Sequence, residues 1–180
     1  MVHVLASTRT VPELIDGLAR RRHDGTHTRD EWRDGVIRLA GPSSPADGEL
    51  VARVVAYLLP LAESLGLGTA APAAIGRPGL ECRVPVVVVF DRATPRPSPD
   101  SLSTAELVVD LVGGPERSEA DLEFFGRWRV REHLAIDVET RSIALRRAGA
   151  DGWVDATHSQ VLGFDVDADR LVSLRGTFAP

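Results

Sequence analysis

The chain of 180 residues contains neither lysine nor asparagine, so all 21 of its Lys+Arg positions are arginine. Without lysine there is no Schiff-base nucleophile, no phosphate-loop lysine and no lysine general base. Both missing residues have A-rich codons, and a GC-rich genome would deplete them without selection on function; the chemical exclusions hold whatever the cause. Cys82 is the single cysteine, which excludes an intrachain disulfide and a multi-cysteine metal site. Beside an apolar run it reads as a small core residue. No apolar stretch approaches the roughly 20 residues that cross a bilayer. MVHVLASTRTVPEL lacks the charged start and continuous apolar core of a secretion signal. These features predict a cytoplasmic protein with no membrane partner. No glycine-x-serine-x-glycine elbow occurs, so triad hydrolysis has no support.

What is present suits one domain, or a domain with an appended arm, with ample material for a core: 43% of residues are hydrophobic and 26% charged. The formal charge of −5 makes the average surface repel nucleic acid. A polyanion site would have to be a local arginine patch. Two patches qualify, Arg20, Arg21 and Arg22 in a row and Arg127, Arg129 and Arg131 at alternating positions, and the plain reading of each is a solvated face.

Val11, Leu14, Ile15 and Leu18 fall at helical spacing behind Pro12. The polar stretch HDGTHTRDE then reads as a connection, giving a helical arm over 1–28 and a main domain over 29–180. GVIRLA (35–40) alternates like a strand. After GPSSPADG, the residues Leu50, Val51, Val54, Val55, Leu58 and Leu59 make one broad helical face, which Pro60 should kink or end. The glycine- and alanine-rich passage 66–79 carries little pattern. RVPVVVVFD (83–91) reads as a strand covered on both faces, and ATPRPSPDS as a proline-rich loop. ELVVDLV (106–112) is another strand, with Asp110 inside it, where a carboxylate is costly unless solvated, paired or bound to a cation. Ser118 with Asp121 resembles a capping box opening a helix through SEADLEFFGRW. HLAIDV and SIALRR read as a hairpin, and further short strand signals close the chain. Interspersed strands and helices predict an α/β or α+β fold, a mixed sheet flanked by helices.

Several constellations dissolve on inspection. DVDAD (165–169) spaces carboxylates as a calcium loop does, but Arg170 stands where glycine is needed and Gly176 where the bidentate glutamate belongs. His23 and His27 flank Gly25, which weakens the helix that would align them on a metal. His133 and His158 have no recognisable partner and read as ordinary satisfied histidines. Gly113 and Gly114 lack the spacing of a dinucleotide loop and read as a turn.

Read together, four segments are collinear with a known family. DEWRDGVIRLAGPSSPADGELVARVVAYL, RVPVVVVFD, ELVVDLVGGPERSEADLEFFGRWRVREHLAID and GFDVDADRLV resemble, in order and spacing, the Uma-type restriction endonucleases, a bacterial branch of the PD-(D/E)XK nuclease-like superfamily. The resemblance spans Asp30 to Val172 and leaves the N-terminal arm outside. It implies a restriction-endonuclease-like fold and hydrolysis of DNA phosphodiesters by a magnesium-activated water, with acidic side chains of neighbouring strands holding the metal and a lysine nearby. Carried over by position, Asp110 stands where the family has its second carboxylate and is the implied metal ligand and catalytic residue. Glu31 matches the acidic residue before the aspartate-glycine turn. Val86 replaces the family's first strand aspartate, and Asp121 lies near the place of the lysine that this chain lacks. Arg127 or Arg129 could supply positive charge toward a nucleic-acid phosphate, though arginine cannot act as acid or base near neutral pH. The family's habit also suggests a homodimer.

Three functions follow as alternatives: a nuclease-like fold whose cleavage centre has decayed into a binding role, a magnesium-dependent endonuclease using Asp110, Glu31 and an arginine in unorthodox roles, or a plain α/β nucleic-acid- or protein-binding module whose Asp110 is merely paired.

Overall fold

The computed structural model describes residues 3–6, 21, 30–33, 36–39, 44–77, 80–97, 101–112, 116–140 and 142–166. The strands are β1 (His3–Ala6), β2 (Glu31–Arg33), β3 (Val36–Leu39), β4 (Leu67–Ala70), β5 (Ala74–Arg77), β6 (Glu81–Arg83), β7 (Val87–Asp91), β8 (Ser101–Leu102), β9 (Leu107–Val112), β10 (Glu132–Asp137), β11 (Ile143–Gly149) and β12 (Gly152–Ala156). The helices are α1 (Pro45–Ser64) and α2 (Glu116–Arg127).

The strands form two six-stranded sheets, the first in the order β1-β3-β2-β6-β5-β8 and the second in the order β12-β11-β10-β9-β7-β4. In the second sheet β9 and β10 run parallel while their outer neighbours are antiparallel. Its valine-rich strands alternate between two apolar layers. Leu107 and Val109 of β9 and Leu134 and Ile136 of β10 join Leu50, Val54 and Leu58 of α1. Val88 and Val108 face the other way, onto Phe124 and Phe125 of α2 and Ile75 and Leu102 of the first sheet. This is the mixed α+β arrangement predicted from the interspersed elements.

α1 begins as its sequence directs. Ser44 Oγ accepts from the Asp47 N–H at 3.1 Å and the Asp47 carboxylate accepts from the Ser44 N–H at 3.4 Å, a reciprocal cap, with Pro45 in the first turn. Pro60 does not end the helix, which continues to Ser64. Pro60 and Ala56 are both exposed, so the carbonyl that the proline leaves unbonded faces water.

RVPVVVVFD is not one strand. Glu81–Arg83 belongs to the first sheet and Val87–Asp91 to the second, and the chain crosses between them at Val84–Val86, where Pro85 cannot donate to a ladder. The passage 66–79 holds β4 and β5, whose small residues are required sterically. A Cβ on Gly68 would lie 2.7 Å from the Phe90 ring, and one on Gly76, at φ 106°, would lie 2.5 Å from the Glu81 carbonyl. In the N-terminal stretch, β1 pairs with β3 from His3↔Leu39 to Ala6↔Val36. The helix expected over 11–22, the boundary near Thr26, His23 and His27 lie outside the described residues, apart from Arg21.

α2 ends in a paired turn. The Arg129 N–H donates to Gly126 O and the Val130 N–H to Phe125 O, both at 3.0 Å, and Arg129 takes the left-handed conformation at φ 55°. That position ordinarily carries glycine. Arg129→Gly is expected to stabilise the fold by about 0.5–1 kcal/mol, the part of the left-handed penalty left after glycine's extra unfolded-state entropy. Urea unfolding followed by tryptophan fluorescence reads this directly, and Arg129→Val should shift the midpoint the opposite way.

Candidate functional site

Asp110 lies in the second half of β9, toward the carboxyl ends of the parallel pair β9 and β10. Alternation sets it on the α2 face with Val108, and β9 and β10 place it opposite Ala135, diagonal to His133. His133 Nε2 lies 3.0 Å from Asp110 Oδ2. The imidazole is almost fully enclosed, at 1% exposure, whereas the carboxylate keeps 21%. Phe125 and Trp153 wall the ring at 5.5 and 6.4 Å between centroids. Trp153 is held in turn by its indole N–H, which donates to Leu122 O at 2.7 Å. His133 Nδ1 is buried without a protein partner. The pair therefore fixes one carboxylate oxygen of a side chain that stays partly exposed.

Val86 is beside this strand. Its N–H donates to Val109 O at 2.9 Å, one step beyond the register pair Val87↔Val109. Its side chain packs in the α1 layer, on the face opposite Asp110. Val86 and Asp110, the two positions singled out by the sequence resemblance, are thus on neighbouring strands but on different faces, and the one at Val86 is apolar.

Glu31 is drawn into a different constellation. Its Oε2 accepts from Arg33 Nε at 2.9 Å and its Oε1 from the Val84 N–H at 3.1 Å. Arg33 reaches on to Asp121 Oδ1 at 2.7 Å, and Arg83 Nε reaches the same oxygen at 3.0 Å. Arg83 also donates to Trp32 O at 2.9 Å and lies 4.5 Å over the Phe124 ring. The Arg33, Arg83 and Asp121 side chains are only 10%, 5% and 12% exposed, so charge compensation must come from within the set. Burial works against the Arg33 charge, but Glu31 and Asp121 outweigh it and raise its pKa. Burial and then repulsion from Arg33 lower that of Arg83. Asp121 does not cap α2, because the helix starts at Glu116. It is the anion that joins α2 to β2 and β6.

The arginine stripe after α2 is mostly spent. Arg127 bonds Glu123 at 2.9 Å and also Glu81, and Arg131 bonds Glu106 at 2.7 Å. Arg129 is exposed. In the other patch Arg21 pairs with Asp30 at 2.6 Å. Two further groups were not legible from sequence. Glu132, fully buried, accepts from Ser159 Oγ and from the N–H of Gln160 at 2.7 Å, clasping the closing loop. His158, read as an ordinary satisfied histidine, bonds Asp165 at 2.7 Å. Cys82 is buried as expected, and desolvation pushes its thiol up to about 11. Among the described residues no group of three or more His, Cys, Asp or Glu is disposed to hold a metal ion, and no helix is long and apolar enough to cross a membrane.

No protein-family profile matches the chain, and no curated protein matches it. Among solved structures it is similar to "a putative nuclease belonging to DUF820" from Anabaena variabilis ATCC 29413. The TM-score is 0.61 at 10% sequence identity, over 81% of this chain and 90% of that one. The chain therefore has the fold of that nuclease-like protein.

Removing Asp121 strands two buried guanidinium groups. Asp121→Ala is expected to cost about 3–5 kcal/mol, as breaking a buried ion pair does. Replacing Arg33, Arg83 and Asp121 together by Met, Met and Leu should cost less than the single change. Urea midpoints of the two variants against the parent decide the order.

Proposed function

We propose that this protein is a restriction-endonuclease-like protein of the Uma type that has lost phosphodiester cleavage and acts by binding. The observation that carries this reading is Asp121. It stands near the place of the family's lysine, and Arg33 and Arg83 close on it from the strands. The charge pattern is thereby reversed: an anion on the helix and cations on the strands, instead of a cation on the helix and metal-holding anions on the strands.

The remaining carboxylates do not suit magnesium. That ion demands oxygen ligands in near-octahedral geometry. Val86 offers none, both Glu31 oxygens are engaged, and one Asp110 oxygen is turned to His133. Arginine, which keeps its proton, does not take over the proton-transfer role of that lysine. DNA remains the partner that the fold suggests, with Arg129 rather than the twice-paired Arg127 as the contacting cation. The competing reading, a working endonuclease, draws on the partly exposed Asp110 at the carboxyl ends of β9 and β10.

Supercoiled plasmid and single-stranded DNA incubated with the purified chain in Mg²⁺ or Mn²⁺ should stay intact, as with Asp110→Ala. Nicking that requires the metal and vanishes in Asp110→Ala would overturn the proposal. Fluorescence anisotropy with labelled DNA should show salt-dependent binding, weakened in Arg129→Ala.

A further inference from the structure

β12 is the outermost strand of the second sheet. Its inner side is settled by the strand before it. The Ala148 N–H donates to Arg131 O at 2.9 Å, so Ala148 and Arg146 turn their backbones toward β10, and Leu145, Arg147 and Gly149 turn toward β12. With the register Arg147↔Val154, Val154 and its even-numbered neighbours bond inward. Trp153 and Asp155 consequently present their N–H and C=O groups at the outer edge. Among the described residues neither receives a ladder partner there. Val154, between them, is 47% exposed, a large apolar side chain left open at the sheet's edge.

An open edge with an apolar residue at its centre invites another strand, and β12 is built to accept itself. Only residues whose backbones face outward can pair, which leaves three antiparallel registers between two copies. Pairing Asp155 with Asp155 sets like charges directly opposite. Pairing Trp153 with Trp153 brings Asp155 against Asp151. The third register matches Trp153 of each copy with Asp155 of the other and sets Val154 on the two-fold axis against its own counterpart, with no facing acids. In that register the Trp153 and Asp155 backbones exchange N–H···O bonds on both sides of the axis. The valines meet as a non-hydrogen-bonded pair, whose Cα atoms approach to about 4.5 Å. Asp155 stays paired with Arg146 of its own chain, on the opposite face from Val154.

We infer that a second copy of this chain docks on β12 in that register, joining two six-stranded sheets into one across the Val154 two-fold. The contact is a short edge rather than a broad face, so association is concentration-dependent. It does not depend on whether the chain cleaves DNA.

Sedimentation over a rising concentration series should carry the mass from 19.4 kDa toward twice that value. Val154→Asp, which puts two carboxylates on the axis, should hold it at the monomer while leaving the far-ultraviolet spectrum unchanged. Under mild oxidation Val154→Cys should form a disulfide-linked dimer about tenfold or more faster than Asp155→Cys or Leu65→Cys, because pairing concentrates the two thiols at the axis; the buried Cys82 supplies no competing thiol. A parent that stays monomeric throughout, or equal crosslinking rates at the three positions, overturns the inference. Crosslinking fastest at position 155 would overturn the register and with it the docking mode.

Discussion

Asp121 Oδ1 is the point on which the architecture turns. One carboxylate oxygen receives a guanidinium from β2 and another from β6, while the helix that bears it packs Phe124 and Phe125 between the two sheets. Two like charges brought together out of water would separate unless an anion lay between them. Asp121 is that anion, and Glu31 completes the balance from the far side of Arg33. The strands and the helix therefore depend on each other: α2 cannot shift without uncovering Arg33 and Arg83, and β2 and β6 cannot separate from α2 without isolating Asp121.

The same balance shapes the chemistry of the region. In a metal-dependent cleft, carboxylates are left short of protein donors so that a cation can complete them. Here the compensation is internal. Glu31 has an arginine and a backbone N–H, Asp121 has two arginines, and Asp110 has an imidazole. What remains is a self-neutralised interior with one partly exposed carboxylate at its margin.

The parts of this arrangement that sequence conveyed were those encoded locally. The periodicity of α1, the valine run of β9 and the β10–β11 hairpin are all patterns within a short window. What stayed hidden required knowing which strands are neighbours. His133 could be paired with Asp110 only once β9 and β10 were parallel in the register that sets Asp110 opposite Ala135. Arg83 and Asp121 are 38 residues apart, and a helix-start reading claimed Asp121 first. Steric demands obscured other elements. Gly68 beneath the Phe90 ring and Gly76 against the Glu81 carbonyl leave β4 and β5 without the β-branched signature of strands. Pro85 marked the sheet crossing, but inside an unbroken apolar run it was outvoted by its neighbours.

The face on which each carboxylate lies bears most on the relation between this fold and catalysis. Val86 packs toward α1 and Asp110 faces α2, although their strands are adjacent. A carboxylate at position 86 on the present backbone would enter an apolar layer formed by Leu50, Val54 and Leu107, where an unpaired charge is costly. The valine is therefore the residue that the local packing requires. Val86 in the α1 layer and Asp121 between Arg33 and Arg83 belong to one solution, in which the layers on both faces of the second sheet close on themselves. A carboxylate introduced at position 86 would consequently disturb the core.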